Sequence, residues 1–176
     1  TLYNQTGQHD RALALLQERR FQPWEGGEGL VLGQHVRTHL RLGRRALQAR
    51  DAIGARRLFE AALSCPENLG EATHLLANQS DIFFWLGVAC EAAGESTVAR
   101  KWWERSAKQK GDFQGMSAKS FSEVTYYSSL ALKRLGRERE AHQLLHALLR
   151  YGDDLAKQSA KIDYFATSLP AMLLFE

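Results

Sequence analysis

The sequence predicts an all-α fold built from stacked antiparallel helical hairpins, and two observations predict it. A segment with a small residue followed by a large apolar one recurs four times, as RALALLQER, ARRLFEAAL, ARKWWERSA and AHQLLHALL. The small residues are Ala12, Ala55, Ala99 and Ala141, which are separated by 43, 44 and 42 residues. Around them, spacings of three and four keep the apolar positions on one face of a helix. A period of about 43 residues with this pattern is typical of stacked helix pairs.

Three further positions repeat together with these alanines and define a hairpin. Four residues after each alanine comes a larger apolar side chain: Leu16, Phe59, Trp103 or Leu145. Five residues before it comes the expected turn position: Gly7, Arg50, Gly94 or Gly136. Twelve residues before it, in the last three units, comes a small residue: Gly43, Gly87 or Ser129. A left-handed glycine ends the first helix, and a small residue lets the two helices pack closely. The predicted units span 1–20 (partial), 28–64, 71–109, 116–151 and 157–176 (partial).

The best unit resembles the tetratricopeptide repeat family. The stretch FFWLGVACEAAGESTVARKWWERS, from Phe83 to Ser106, has the family's order of aromatic, Leu-Gly, Gly, Ala, aromatic and small residues. Arg50 departs from the turn glycine, Ser128-Ser129 departs from Leu-Gly, and the period exceeds the usual ~34 residues. The resemblance implies an α-solenoid with a right-handed superhelix, whose first helices line a concave groove. The additional residues between units favour longer first helices.

Three segments carry a narrower resemblance. FQPWEGGEGLVLGQHV, PENLGEA and KIDYFATSLPAMLLF look like the helical-repeat region of large bacterial proteins with an uncharacterised β-rich domain ahead of the repeats. This resemblance implies that the chain is a fragment of a longer protein, and it assigns no activity. A fifth unit is expected to begin near the C-terminus, with Asp163 in the place of Asp81 and Glu123 and a kink at Pro170.

Composition argues against several classes of function. The formal charge is only +3, from 23 basic and 20 acidic residues, so the contiguous basic stripe of a nucleic-acid-binding protein is not expected. No apolar run reaches the ~18 residues of a membrane span, and no signal peptide is visible. Two cysteines, Cys65 and Cys90, do not form a disulfide framework. A cytoplasmic protein is the default expectation.

Residue patterns for catalysis or metal binding are also missing from the sequence. The pairs His35/His39 and His142/His146 have the i,i+4 spacing of a metal site, but neither has an HExxH context or an evident third ligand. No GxSxG element and no nucleophilic cysteine signature occurs. We therefore expect no enzymatic activity, no catalytic residues, no metal and no cofactor.

The first helices provide the predicted binding groove. Eighteen residues before the alanines lie Arg37, Asp81 and Glu123, and Asp163 would continue this row of acids. A helix turns by about 100° per residue, so the neighbours of core residues Phe83 and Thr125 are expected to point away from the core. The predicted groove residues are Arg37, Arg44, Asp81, Phe84, Glu123, Tyr126 and Asp163.

The stretch FQPWEGGEGL falls between the first two units. It lacks the Lys-Ser/Thr ending of a phosphate loop, and no strand precedes it. Two other joints, CPENLGEA and KGDFQGMS, have a similar composition, which favours a repeated connector. Trp24, Glu25 and Glu28 could still form a functional rim, since insertions in repeat proteins tend to lie along one edge.

A non-enzymatic protein–protein interaction or scaffold module is the function that the sequence favours. Its partner would be a protein or peptide segment bound in the groove, with no nucleic acid and no membrane involved. One alternative is an accessory region that docks onto a neighbouring, possibly carbohydrate-acting, domain of the same protein. Another is a helical-repeat sensor that binds a small ligand. Exposed ends of the solenoid would also allow a dimer.

Overall fold

The computed structural model describes residues 1–22, 27–114 and 117–159, and this part of the chain is mainly helical. Its α-helices are α1 (Leu2–Gln5), α2 (His9–Glu18), α3 (Leu30–Gln48), α4 (Ala52–Ala62), α5 (Ser80–Ala92), α6 (Ser96–Lys108), α7 (Thr125–Arg134) and α8 (Glu138–Ala156). The all-α class is confirmed. None of the helices in the described ranges combines the length and the apolar character needed to cross a membrane.

The helices pair in chain order. Contacts join α1 to α2, α3 to α4, α5 to α6, and α7 to α8. Between successive pairs, α2 packs on α3, α4 on α5, and α6 on α7. The first helices of the pairs also touch their neighbours, because α1 contacts α3, α3 contacts α5, and α5 contacts α7. Each helix pair therefore packs against the pair that precedes it in the sequence.

The turn inside each pair has the same backbone geometry in all four pairs. Just after the turn, a backbone N–H donates to the carbonyl five residues earlier, over 2.8–2.9 Å; the donors are Gln8, Asp51, Glu95 and Arg137. One residue before each donor the backbone is left-handed, with φ of 76° at Gly7, 63° at Arg50, 82° at Gly94 and 75° at Gly136. This is the helix C-cap that glycine favours. The predicted turn positions are confirmed, and Arg50 adopts the conformation of the three glycines.

A glycine facing a large ring sets the spacing within two of the pairs. A Cβ atom added to Gly43 would lie closer than 3.0 Å to the Phe59 ring, and one added to Gly87 would meet the Trp103 ring equally closely. In the fourth pair Ser129 takes the glycine's position and is fully buried. The large position there is a leucine, Leu145, so a smaller side chain accompanies the serine.

The core lies between successive pairs. One cluster joins α4 and α5; its buried members are Ala55, Phe59, Ala62, Ile82, Phe83, Leu86 and Ala89. A second joins α5, α6 and α7; its buried members are Phe84, Cys90, Ala99, Trp103 and Ala131. Helix α5 contributes to both clusters, which explains why the apolar residues of SDIFFWLGVACEA are not confined to one face.

The connectors differ from the expectation of longer first helices. Helix α3 has 19 residues, but α5 has 13 and α7 only 10. Additional residues lie instead in the joints, as a turn of 3-10 helix (Glu67–Leu69) and an antiparallel hairpin of β1 (Asp112–Gln114) and β2 (Ser117–Lys119). The extended backbone is held by distant residues: the buried Asp112 carboxylate accepts the Asn78 N–H over 2.9 Å, and the Phe113 ring stacks on His74 with 3.7 Å between centroids.

Replacing Gly87 by alanine tests the close packing within a pair. We expect Gly87→Ala to lower the free energy of unfolding by about 1–3 kcal/mol, because its methyl group would enter the Trp103 ring. Gly33→Ala is the matched control, since nothing lies within 4 Å of a Cβ there and alanine favours the helix by up to about 1 kcal/mol. Urea unfolding measures both; equal stability of the two variants would contradict this packing.

Replacing Arg50 by glycine tests the repeated turn. An L-residue with φ of 63° carries steric strain, so Arg50→Gly is expected to raise the free energy of unfolding by about 0.5–1 kcal/mol. The reciprocal change Gly94→Ala, at φ of 82°, is expected to lower it by a similar amount. Thermal unfolding provides the comparison, and a less stable Arg50→Gly protein would show that the arginine side chain stabilises the turn.

Candidate functional site

Side chains on α3 and α5, and on or just before α7, are here grouped as the first-helix face. It comprises Arg37, Arg41, Arg44, Asp81, Trp85, Glu123, Tyr126 and Tyr127. Contacts between neighbouring helices join its parts. The Arg44 guanidinium of α3 lies 4.8 Å from the centre of the Trp85 ring of α5. Behind the face, the buried Phe84 ring of α5 lies 5.8 Å from the centre of the Tyr127 ring of α7.

Aromatic rings run across the middle of this face. Trp85 is half-buried and touches the core behind it, stacked on Phe59 at 6.1 Å and edge-on to Phe84 at 5.4 Å. Tyr127 is also half-buried, and its ring lies edge-on to that of Tyr126 at 5.8 Å. Tyr126 is 45% exposed. The core therefore fixes these rings in place while part of each stays open to solvent.

The expectation that Phe84 points away from the core is wrong. Its side chain is only 6% exposed and belongs to the cluster with Cys90 and Trp103. Because α5 is packed against helices on several sides, the two consecutive residues Phe83 and Phe84 both fall inside. The aromatic residue of α5 that reaches the surface is Trp85, one position further along, which the sequence argument missed.

Charge is distributed unevenly over the first-helix face. Arg37 and Arg41 are exposed on α3 and lie on the same side of the helix as Arg44, at spacings of four and three. Glu123 is exposed just before α7. Positive charge therefore lies at the α3 end of the face and negative charge at the α7 end. Asp163, the predicted continuation of the acids, lies outside the described residues.

Asp81 is the most perturbed acid of the first-helix face. Burial raises its pKa from 3.8 to about 6, and the negative charges of Asp112 and Glu123 act in the same direction. Backbone hydrogen bonds act in the opposite direction and lower this pKa; in one of them the Ile82 N–H donates to Asp81 Oδ1 over 2.8 Å. At neutral pH the carboxylate is charged and half-buried, and none of the described cations forms a salt bridge with it.

The connector around FQPWEGGEGL is tied to the next connector. The Glu71 carboxylate accepts the backbone N–H groups of Gly29 over 3.1 Å and Leu32 over 2.7 Å. It thereby caps the start of α3, whose own residues supply no side-chain cap. Trp24 and Glu25 lie outside the described residues, and Glu28 is exposed. The two hydrogen bonds give Gly29 and Leu32 a structural role at the start of α3. They do not test the prediction that Trp24, Glu25 and Glu28 form a functional rim.

A second residue of the same joint closes the end of α2. The side-chain amide of Asn68 donates to the backbone carbonyls of Leu16 and Arg19 over 2.8 and 2.7 Å, and the backbone carbonyl of Asn68 accepts the Phe21 N–H over 2.8 Å. Leu75, in the connector between α4 and α5, is 98% exposed, and the sequence argument had not singled out this apolar side chain.

The histidine pair His35/His39 has structural partners. His35 and His39 are both 5% exposed; His35 Nε2 lies 3.1 Å from the Ala61 carbonyl, and His39 Nδ1 lies 2.9 Å from the His35 carbonyl. Desolvation lowers the pKa of both rings. Within residues 1–22, 27–114 and 117–159, no three His, Cys, Asp or Glu side chains are grouped as metal ligands would be.

No protein-family model matches this chain, and no solved structure matches it. The tetratricopeptide resemblance of Phe83 to Ser106 therefore stays a prediction, and the function has to be argued from the first-helix face.

Replacing Asp81 by asparagine tests the charge that this face keeps half-buried. With a folded-state pKa near 6, above the ordinary 3.8, the ionised side chain reduces stability at neutral pH, and this penalty disappears as pH falls through 6 towards 4. Asp81→Asn is therefore expected to raise the thermal midpoint by about 2–4 °C at pH 7.5, roughly 1 kcal/mol, and by almost nothing at pH 4. Exposed Asp153→Asn is the control. A lower midpoint for Asp81→Asn at pH 7.5 would contradict the assignment.

Proposed function

We propose that this chain is a non-enzymatic interaction module that binds a segment of a partner protein along the first-helix face. In this proposal the helix pairs form a tetratricopeptide-like solenoid with a right-handed superhelix, and the first-helix face is its concave side. The four identical turns and the ordered contacts between pairs support such a stack. The turns recur at the same spacings as the repeated alanines, which are 43, 44 and 42 residues.

The observation that carries the proposal is the row of half-exposed aromatic rings on neighbouring first helices. Trp85 and Tyr127 are fixed from behind by core contacts, so binding would cost little side-chain entropy. Aromatic side chains held in this way are the type of residue that dominates binding energy at protein interfaces. The rings are suited to apolar side chains at the middle of a bound segment.

The charges determine which segment would fit. Arg37, Arg41 and Arg44 favour acidic residues at one end, whereas Asp81 and Glu123 favour lysine or arginine at the other. Exposed ion pairs are worth only about 0–1 kcal/mol each, so they would set direction and association rate more than affinity. A cation beside Asp81 would also offset the cost of keeping this carboxylate ionised at neutral pH.

Selection from a library of random peptides displayed on phage tests this function. The selected peptides are expected to carry acidic residues at one end, apolar residues in the middle and basic residues at the other. Charge reversal in Arg41→Glu or Glu123→Lys is expected to weaken their binding at least about tenfold. Tyr126→Ala, which removes a 45% exposed ring, is expected to weaken it similarly.

A matched control distinguishes binding on this face from binding elsewhere. Arg57 is exposed on α4, a second helix, so Arg57→Glu makes the same charge change away from the first-helix face. Its affinity for the selected peptides is expected to stay within a factor of two. Equal losses for Arg41→Glu and Arg57→Glu, or peptides without the charge order, would count against the proposal. Docking to a neighbouring domain and sensing of a small ligand stay predictions.

A further inference from the structure

Three arginines of the first-helix face have no counterpart in the other units. They lie on one side of α3 at spacings of four and three, and are here called the arginine cluster: Arg37, Arg41 and Arg44. The repeat-equivalent positions of α5 hold Asp81, Trp85 and Val88. Those on or just before α7 hold Glu123, Tyr127 and Leu130. The packing of one helix pair on the next therefore does not require arginine at these positions.

The positive charge of the arginine cluster is not neutralised within the described part of the chain. None of the described acids forms a salt bridge with any of its three members. The adjacent Arg45 differs, because its guanidinium donates two hydrogen bonds to the Asp10 carboxylate, over 2.7 and 2.6 Å. Three like charges within about 10 Å along one helix repel one another, so an anion bound among them would relieve this repulsion.

Two contacts of the arginine cluster favour binding of an anion. The Arg44 side chain is half-buried and its guanidinium lies 4.8 Å from the centre of the Trp85 ring, which limits the side-chain entropy lost on binding. At the start of α2, desolvation lowers the pKa of His9, and the positive charges of Arg41 and Arg45 lower it further. The positive potential of the cluster therefore extends to the neighbouring helix.

We propose that the acidic group which the arginine cluster binds is a phosphorylated serine or threonine of the partner segment. A carboxylate offers two oxygens and one negative charge. A phosphate monoester offers three acceptor oxygens and a charge of about −1.5 to −2 at pH 7. Three guanidinium groups, each a planar fork of N–H donors, match this larger charge and number of oxygens. The inference rests on the proposed function, because it identifies the residue at the acidic end of the bound segment.

The charges of the whole face favour a phosphorylated segment over a nucleic acid, the other common source of phosphate. A nucleic acid carries a phosphate at every nucleotide, so its backbone needs a continuous basic track. Beyond the arginine cluster the first-helix face holds Trp85 and then the acids Asp81 and Glu123. These carboxylates would repel further phosphates, whereas a segment with one phosphate and a basic residue at its other end fits both ends of the face.

Three versions of one selected peptide test this inference by their affinity for the full chain. They carry phosphoserine, glutamate or serine at the acidic end and are otherwise identical. Fluorescence anisotropy at neutral pH and about 150 mM salt, where exposed charges are partly screened, provides the comparison. The phosphoserine peptide is expected to bind at least about tenfold more tightly than the glutamate peptide, and the serine peptide most weakly. Equal affinities for phosphoserine and glutamate would overturn this inference alone and leave the proposed function standing.

A double substitution tests whether the phosphate binds at the arginine cluster. Arg37→Gln/Arg41→Gln removes two exposed positive charges and keeps long polar side chains, so the preference for phosphoserine over glutamate is expected to fall below about threefold. The matched control Arg57→Gln/Arg139→Gln changes two exposed arginines on α4 and α8 and is expected to keep the full preference. An undiminished preference in the first variant, or equal losses in both, would overturn the assignment.

Competition with a short single-stranded oligothymidine separates the two sources of phosphate. At an equal concentration of phosphate groups, the oligonucleotide is expected to leave the phosphoserine peptide bound. Displacement of the peptide would assign the arginine cluster to nucleic acid and overturn this inference. If the peptide selection returns no binder with the expected order of charges, the proposed function itself fails, and this inference fails with it.

Discussion

Close contact between a small residue on the first helix of a pair and a large ring on the second is the constraint on which the rest of this structure depends. Gly43 faces Phe59 and Gly87 faces Trp103, with no room for even a methyl group between them. This brings two backbones together and fixes where each first helix lies relative to the next. The contact of Arg44 with Trp85, between α3 and α5, follows from that placement.

The same close contact leaves a buried polar group of Trp103 without a hydrogen bond. Trp103 fills the space beside Gly87, but its indole Nε1 is buried without a hydrogen-bond partner among the described residues. Leaving a buried donor unpaired costs about 1–3 kcal/mol. Much of the ring is covered by the core, and the Arg134 guanidinium lies 5.4 Å from its centre. The shape of the ring therefore outweighs its unsatisfied N–H at this position.

Local features of the chain were predictable because they depend on neighbours within a few residues. The four turns follow from glycine, or one arginine, five residues before each repeated alanine, and the alanines themselves are buried. The exposure of Phe84 and Trp85 was not predictable in this way, because it depends on how many helices surround α5. The β1–β2 hairpin was missed for a similar reason: Asp112 is held by Asn78, thirty-four residues away in the chain.

The hydrogen bonds between connectors mean that a helix pair is not a self-contained unit. The start of α3 is capped by Glu71, and the end of α2 is closed by Asn68, both of which come after the α3–α4 pair in sequence. Cutting the chain between α4 and Asn68 would leave both helix ends with unsatisfied backbone groups, even though every residue of α2 and α3 remained. The smallest piece that folds independently must therefore overlap two units, so duplication or shuffling of this protein would have to copy each hairpin together with the joint that follows it.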